Sequence, residues 1–334
     1  MIHDSILHCI GPTPLVRLAR LFPCPDHPVI AKLELLNPGG SIKDRPARLI
    51  VERALRSGAV SAGSHLVESS SGNFGIALAV AARVHGLRFT CVVDPNLAPA
   101  NHLILERLGA HVEMVCQRDE RGGYLGTRIR RVQELLETVP DAVWINQYAN
   151  PGNWRAHYYL TAREILAELD GPVDFLVLGI STSGTILGLA RRLRTVFPRL
   201  RVIAVDAAGS VIFGGEPGPR RIPGIGASAV PELFSPEEID DVVVVSDREA
   251  AGGCRALLAA EGIFAGGSSG AVVAAIGKLI PRLPRAGRIL TLLPDRGERY
   301  LDLVYDDDWV ASLPEATPAV EPTERPLILA GTAQ

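Results

Sequence analysis

A lysine carried in a glycine turn opens the chemistry of this sequence. Asn37-Pro38-Gly39-Gly40-Ser41-Ile42-Lys43-Asp44-Arg45 lies between an extended apolar stretch, Val29 to Leu35, and a helical one, Ala47 to Arg56. Adjacent glycines lack the Cβ that forbids tight turns and close approach of backbone to a ligand. An amine held at a strand-to-helix junction can condense with an aldehyde to form a Schiff base. The same residues also fit a plain glycine turn followed by a solvated lysine, and the run alone leaves both readings open.

Three further loops sit between strand-like and helical stretches. Gly179-Ile180-Ser181-Thr182-Ser183-Gly184-Thr185 offers open backbone N–H groups, hydroxyls and a helix N-terminus, which together make a phosphate cradle without lysine or arginine. It has neither the Gly-Lys-Ser/Thr of a Walker A loop nor the spacing of a dinucleotide site. Glu68-Ser69-Ser70-Ser71-Gly72-Asn73-Phe74-Gly75 could grip a carboxylate at a helix start, with Asn73 free to donate to a phenolate oxygen. Gly266-Gly267-Ser268-Ser269-Gly270 precedes a helical stretch, Ala271 to Ile280. Each of the three is also a serviceable helix cap.

Elements that could position these loops are legible as an alternation. Strand-length apolar runs are Leu66-Val67, Phe89 to Val93, Val112 to Val115, Phe175 to Gly179, Val202 to Val205, Val242 to Val245 and Ile289 to Leu293. Helical patterns between them are Gly75 to Val84, Leu103 to Leu108, Tyr124 to Thr138, Trp154 to Leu169, Thr185 to Val196 and Ala250 to Ala260. Repeated βα units predict parallel sheets with helices on both faces. The stretch Ile76 to Ala82 is apolar on every side, which predicts a buried helix. Asn146 to Asn153, rich in Asn, Gly and Pro, reads as a crossing between two lobes.

At 334 residues and 47% hydrophobic content the chain can bury one large core or two ordinary ones. A net charge of -3 and a pI near 6.3 give no field for gathering nucleic acid or an anionic membrane. With no membrane-length apolar run and no signal-like start, the expected location is cytoplasmic. Five scattered cysteines without a CxxC pair argue against a disulfide framework or structural zinc. Cys24-Pro25-Asp26-His27 is read as a loop, so no metal ligand is assigned.

The loops in this order, with Gly11-Pro12-Thr13-Pro14-Leu15-Val16, Asn150-Pro151-Gly152-Asn153 and Gly224-Ile225-Gly226, carry a resemblance. From about Gly11 to Val310 the chain resembles the fold-type II enzymes that use pyridoxal 5'-phosphate (PLP), in the cysteine synthase and cystathionine β-synthase group. The resemblance implies a two-lobed, tryptophan synthase β-like α/β fold of parallel-rich twisted sheets flanked by helices, usually as a homodimer. It implies residues 1–37 largely with the large lobe, 38–147 as a small mobile lobe, 148–312 as the large PLP-binding lobe and 313–334 as a flexible tail. Lys43 then resembles the Schiff-base lysine and proton shuttle. Asn73 resembles the donor to the cofactor 3-oxygen, Ser181, Thr182, Ser183, Gly184 and Thr185 the phosphate loop, and Ser268 the partner of the pyridine nitrogen. A serine there cannot enforce a protonated ring, which suits β-elimination over transamination. Ser70, Ser71, Gly72 and Asn73 resemble the loop that closes on the substrate carboxylate, with Gln147 and Gly224 as further substrate contacts.

Departures from plain cysteine synthase narrow the expectation. Tyr148 follows Gln147 where phenylalanine is usual, Ser181 stands where glycine is common, and the run Leu293 to Tyr305 differs from the usual ending. With Gly122 to Arg128 these are similar to the branch making N-(2-amino-2-carboxyethyl)-L-glutamate, a precursor of 2,3-diaminopropionate for siderophores and peptide antibiotics. That branch implies O-phospho-L-serine and L-glutamate as substrates. Arg128 is the first candidate to match the phosphate charge, with Arg220 and Arg221 behind it, and Tyr148 and Ser181 add hydroxyls for a second carboxylate. The alternatives are a sulfide-using cysteine synthase or O-phosphoserine sulfhydrylase, a cystathionine β-synthase, and a non-catalytic scaffold.

Overall fold

A computed structural model describes residues 2–314 apart from Arg121 and Pro284. Ten strands, β1 (Leu15–Arg17), β2 (Val29–Lys32), β3 (His65–Ser69), β4 (Arg88–Val93), β5 (His111–Met114), β6 (Ala142–Trp144), β7 (Phe175–Gly179), β8 (Arg201–Ala207), β9 (Asp241–Val245) and β10 (Ile289–Leu292), form two sheets among the described residues. The larger has the order β1-β2-β10-β7-β8-β9, and the smaller β5-β4-β3-β6. Only the β1–β2 pair is antiparallel, with Leu15 opposite Lys32. All other pairings are parallel. This is the α/β, parallel-rich architecture that the βα alternation predicts.

The helices are α1 (Asp44–Ser57), α2 (Asn73–His85), α3 (Pro99–Arg107), α4 (Leu125–Thr138), α5 (Gly152–Ala156), α6 (Ala162–Glu168), α7 (Gly184–Arg194), α8 (Asp247–Glu261), α9 (Gly267–Leu279) and α10 (Asp307–Ala311). In β7, Phe175 and Val177 point into one core with residues of α8 and α9. Leu176 and Leu178 point the other way, into a core with α6 and α7. A strand covered on both faces reads as an unbroken apolar run rather than an alternation, hence its clarity in the sequence. On the smaller sheet, Leu66, Phe89 and Cys91 pack with α1, α2 and α3, while Val67 and Val92 meet α4. Helix α2 is buried on nearly every side, from Phe74 to Ala82, as its composition predicts.

Boundaries differ from the sequence reading where small residues begin a helix. α9 starts at Gly267, so Ser268 stands in its first turn rather than in a preceding loop. Glycine is required there by closeness: a Cβ on Gly270 would collide with the carbonyl oxygen of Ala250 and with Cys254. Helices α8 and α9 can therefore touch backbone to backbone. Gly270→Ala is expected to destabilise the fold by about 3 kcal/mol through overpacking, read as a lowered urea midpoint at unchanged slope. The stretch Trp154 to Leu169 is not one helix. A single π turn, His157–Thr161, separates α5 from α6. The expected tail, 313–334, lies outside the described residues from 315 on. Leu313 is itself buried, and its carbonyl accepts from Arg248.

Among the described residues no helix is long and apolar enough to cross a membrane, and no group of metal-binding side chains is gathered.

Candidate active site

Loops at the carboxyl ends of parallel strands are where α/β sheets place ligands. The loop after β3 carries Ser70 to Gly72, that after β7 carries Ile180 to Ser183, and the segment after β10 runs from Leu293 to Tyr300. Lys43 stands just before α1, on a turn pinned beside that last segment. The Ile42 N–H donates to the Pro294 carbonyl at 2.8 Å, and Ser41 lies opposite Asp295 in an antiparallel bridge. Gly40 holds the turn with φ +80°.

The Lys43 amine is desolvated, which lowers its pKa from 10.5 to about 8; the negative charge of Asp295 opposes that fall. Asp295 is 1% exposed. Its Oδ2 accepts from Asn73 Nδ2 at 2.7 Å and from the Tyr300 hydroxyl at 2.5 Å. Asn73 opens α2, and its Oδ1 accepts from Arg299. The backbone N–H of Gly266 donates to the Asp295 carbonyl, which brings the start of α9 and Ser268, 6% exposed, to the same corner.

At the 180–185 loop, Ser183 holds φ +67°, a left-handed conformation uncommon outside glycine, and its hydroxyl is buried without a partner among the described residues. α7 begins at Gly184, where a Cβ would run into the Asn153 amide. Asn153 Nδ2 donates to Thr182 Oγ1 and to the Gln147 carbonyl, tying the loop to the Asn146–Asn153 crossing. Thr185 Oγ1 lies 3.3 Å from Nε2 of His157, which is buried in the π turn and whose pKa falls well below 6.5 through desolvation and then the charge of Lys43. Ser181 donates to the Gly226 carbonyl at 3.0 Å. An unpartnered buried hydroxyl, peptide N–H groups at a helix start and a position that excludes a Cβ are what a phosphate group needs. The donor set fits a phosphate-bearing cofactor such as PLP.

A second cluster lies at the end of the smaller sheet. Arg128 on α4 donates to Ser71 Oγ at 2.9 Å, and its Nε is 3.3 Å from Asp94. Ser71 donates in turn to Asp94 at 3.3 Å. Ser70 Oγ accepts from the N–H of Gly75 at 3.0 Å, shaping the turn in which Gly72 meets nothing that a Cβ would touch. Gln147 Nε2 donates to the Ser69 carbonyl at 3.1 Å. The Tyr148 phenol is pushed up by burial, with Arg128 opposing and Glu68 reinforcing the shift.

Most predicted site residues thus share two adjoining clusters. Gly224 is exposed at φ +88°, and two residues on, Gly226 makes the contact with the 180–185 loop. Arg220 passes beside Gly226, whereas Arg221 stands apart. Arg220 reaches Ser228 and the Gly209 carbonyl, and Arg221 reaches Ser312. Asp295, Arg299, Asp94, Glu68, Asn153 and His157 belong to the site and were not singled out as site residues by the sequence reading. The run Leu293 to Tyr305 stood out only as a departure from a familiar ending.

Glu68 is fully buried at the end of β3, where desolvation raises its pKa from 4.5 to about 8 against hydrogen bonds from the Ser69 and Gln147 N–H groups. Between those values the folded chain keeps a proton that the unfolded chain has released. Stability therefore falls as pH rises through that window. Glu68→Gln is expected to flatten this slope by on the order of 2 kcal/mol, checked by urea midpoints at about pH 5 and about pH 8.

Residues 6–295 match the family described as pyridoxal-phosphate dependent enzyme. The chain is 61% identical over 313 residues to an N-(2-amino-2-carboxyethyl)-L-glutamate synthase of Ralstonia nicotianae, covering 94% of this chain and 93% of that one. It is 58% identical to the synthase of the same name from Cupriavidus metallidurans, over the full length of both. Among solved structures, an O-acetylserine dependent cystathionine β-synthase from Helicobacter pylori superposes with a TM-score of 0.84 at 36% identity, covering 90% of this chain and 98% of the other. An O-ureido-L-serine synthase superposes with a TM-score of 0.85 at 34% identity, covering 93% and 100%. With its loops, its buried amine and these likenesses in agreement, the chain belongs to the pyridoxal-phosphate-dependent enzymes.

Proposed function

We propose that this enzyme replaces the phosphate of O-phospho-L-serine with the amine of L-glutamate, giving N-(2-amino-2-carboxyethyl)-L-glutamate and inorganic phosphate. The observation that carries the reading is the full-length likeness to two synthases bearing that product's name. The Arg128, Ser71 and Tyr148 cluster supports it, because both substrates add anionic groups that sulfide chemistry lacks.

Bound at the site, PLP supplies an electron sink for charge left on the substrate α-carbon. The chain's own residues do the rest. Peptide N–H groups and hydroxyls of Ser181, Thr182, Ser183, Gly184 and Thr185 would hold the cofactor phosphate, Asn73 would donate to its 3-oxygen, and Ser268 would partner its ring nitrogen. Ser70, Ser71, Gly72, Asn73 and Gln147 receive the substrate carboxylate. Lys43, already part-deprotonated near neutral pH, takes the α-proton at its Nζ and later returns it to the same carbon. The bond from the β-carbon to the phosphate oxygen breaks, the bond to the glutamate nitrogen forms, and that nitrogen gives up a proton. Arg128, Tyr148 and Ser181 orient the departing phosphate and the incoming glutamate. Closure of the 70–73 loop keeps water out between the two halves. The reading carries a cytoplasmic homodimer with a small mobile lobe at 38–147 and PLP bound to a large lobe at 148–312, joined by most of 1–37. Its product feeds 2,3-diaminopropionate for siderophores or peptide antibiotics.

The test is a competition: phosphoserine with equal glutamate and sulfide, products resolved by mass. The glutamate adduct is expected to dominate. Cysteine as the main product would instead assign a sulfide-using cysteine synthase.

A further inference from the structure

Asp295 is the point at which three of the site's loops meet. Its backbone pairs across from Ser41, two residues before Lys43, and its carbonyl receives the Gly266 N–H at the start of α9. Its side chain reaches Asn73 at the start of α2. One oxygen, Oδ2, is saturated by Asn73 and Tyr300, while Oδ1 is buried without a hydrogen-bond partner among the described residues. Gly266 makes room for Oδ1, since a Cβ there would overlap it. Arg299 completes the arrangement by donating to Asn73 Oδ1 and, at 2.6 Å, to the Gly39 carbonyl.

An amide flanked in this way has one orientation. Its oxygen faces the guanidinium and its nitrogen faces the carboxylate, so Nδ2 is the end left to donate elsewhere. The charged and titratable groups around the pair are few. Asp295 and His157 act on or feel the Lys43 charge. Burial pushes the Asp295 carboxyl up, opposed by hydrogen bonds from Tyr300 and Asn73 and by the charges of Arg299 and Lys43; Cys254 and Tyr305 feel Asp295, and Asp44 feels Arg299.

We propose that Asp295 is a positioning residue: with Arg299 it orients the Asn73 amide, and its carboxylate, held by the Asn73 and Tyr300 hydrogen bonds beside the Ser41 bridge, acts on the Lys43 amine. This rests on the reading of Lys43 as the reactive amine and deepens it. Burial alone would leave the amine a weaker base, less able to take the α-proton. The buried carboxylate offsets that desolvation and keeps proton uptake and release balanced near neutral pH.

The test reads the amine itself, without turnover. In the full chain freed of bound PLP, the rate of Lys43 acetylation by acetic anhydride is followed against pH by peptide mass spectrometry. In Asp295→Asn, which keeps the shape and removes the charge, the midpoint is expected to fall by about one pH unit. In Arg299→Gln, which releases the same amide but removes a positive charge, the midpoint stays or rises, while PLP affinity falls as it does in Asp295→Asn. A purely structural role would move both midpoints in the same direction. An Asp295→Asn midpoint equal to that of the unaltered chain overturns the proposal, as does a fall in Arg299→Gln. Should Asp295→Asn fail to fold, the Arg299→Gln sign alone decides. Failure of the unaltered chain to take up PLP would instead defeat the proposed function, so the two failures are distinct.

Discussion

Lys43→Ala is expected to reduce turnover of phosphoserine by about 10⁴-fold or more and to leave the chain without the visible absorbance that PLP takes on when it joins an amine. Two properties of the position argue for so large an effect. The amine is desolvated, so that at about pKa 8 it can both accept and release a proton near neutrality. Its turn is fixed to the segment after β10 by a backbone hydrogen bond and a bridge, so no neighbouring lysine can take its place. Lys32, the other lysine on this side, is fully buried against Thr13, Glu164 and Glu168. Multiple turnovers by the alanine variant, measured as phosphate release, would remove Lys43 from the chemistry.

Gly184→Ala is expected to weaken PLP binding by about 100-fold. A methyl group there points at the Asn153 amide, and Asn153 is 2% exposed and bonded to both Thr182 and Gln147. It has nowhere to retreat, so the start of α7 must shift and its N–H groups lose their aim. Gly277→Ala, on α9 where a Cβ meets open space, serves as the control and should leave affinity unchanged. Equal affinity in Gly184→Ala and the unaltered chain, by absorbance titration, would show that the 181–185 loop does not hold the phosphate.

Much of this architecture can be read from residue order because the central strands are covered on both faces, and an apolar run such as Phe175 to Leu178 has few other uses. Three-residue strands escape such a reading. β1 and β6 are too short to show a period, and β6 is an edge strand beside β3. Periodicity also misses the π turn at His157, because one extra residue in a turn leaves the flanking helical pattern looking continuous. Strand β2 stops at Lys32 rather than running on to Leu35, where a short 3₁₀ turn, Glu34–Leu36, bends the chain toward Asn37.

The site divides along similar lines. Glycine and hydroxyl loops announce themselves locally, since their composition suits few purposes. Asp295, Asp94 and Arg299 are ordinary charged residues whose roles come from partners more than a hundred or tens of positions away, such as Asn73 for Asp295 and Arg128 for Asp94. Tyr148 and Arg128 show their proximity only once α4 is laid across the smaller sheet.

Arg45, two residues beyond the amine, is 1% exposed and gripped by Glu34 and Glu164, each at 2.6 Å. Breaking one such buried pair costs on the order of 3–5 kcal/mol, far more than a resting protein spends on ordinary breathing. The turn that carries Lys43 is therefore tied to the larger sheet, even though the rest of its helix packs against the smaller one. Motion of the proposed small lobe would then carry Ser70 and Ser71 while the Lys43 turn, at that lobe's edge, kept its ties to Glu34 and Glu164. On the proposed reading, the grip on substrate would tighten from one side without displacing the lysine.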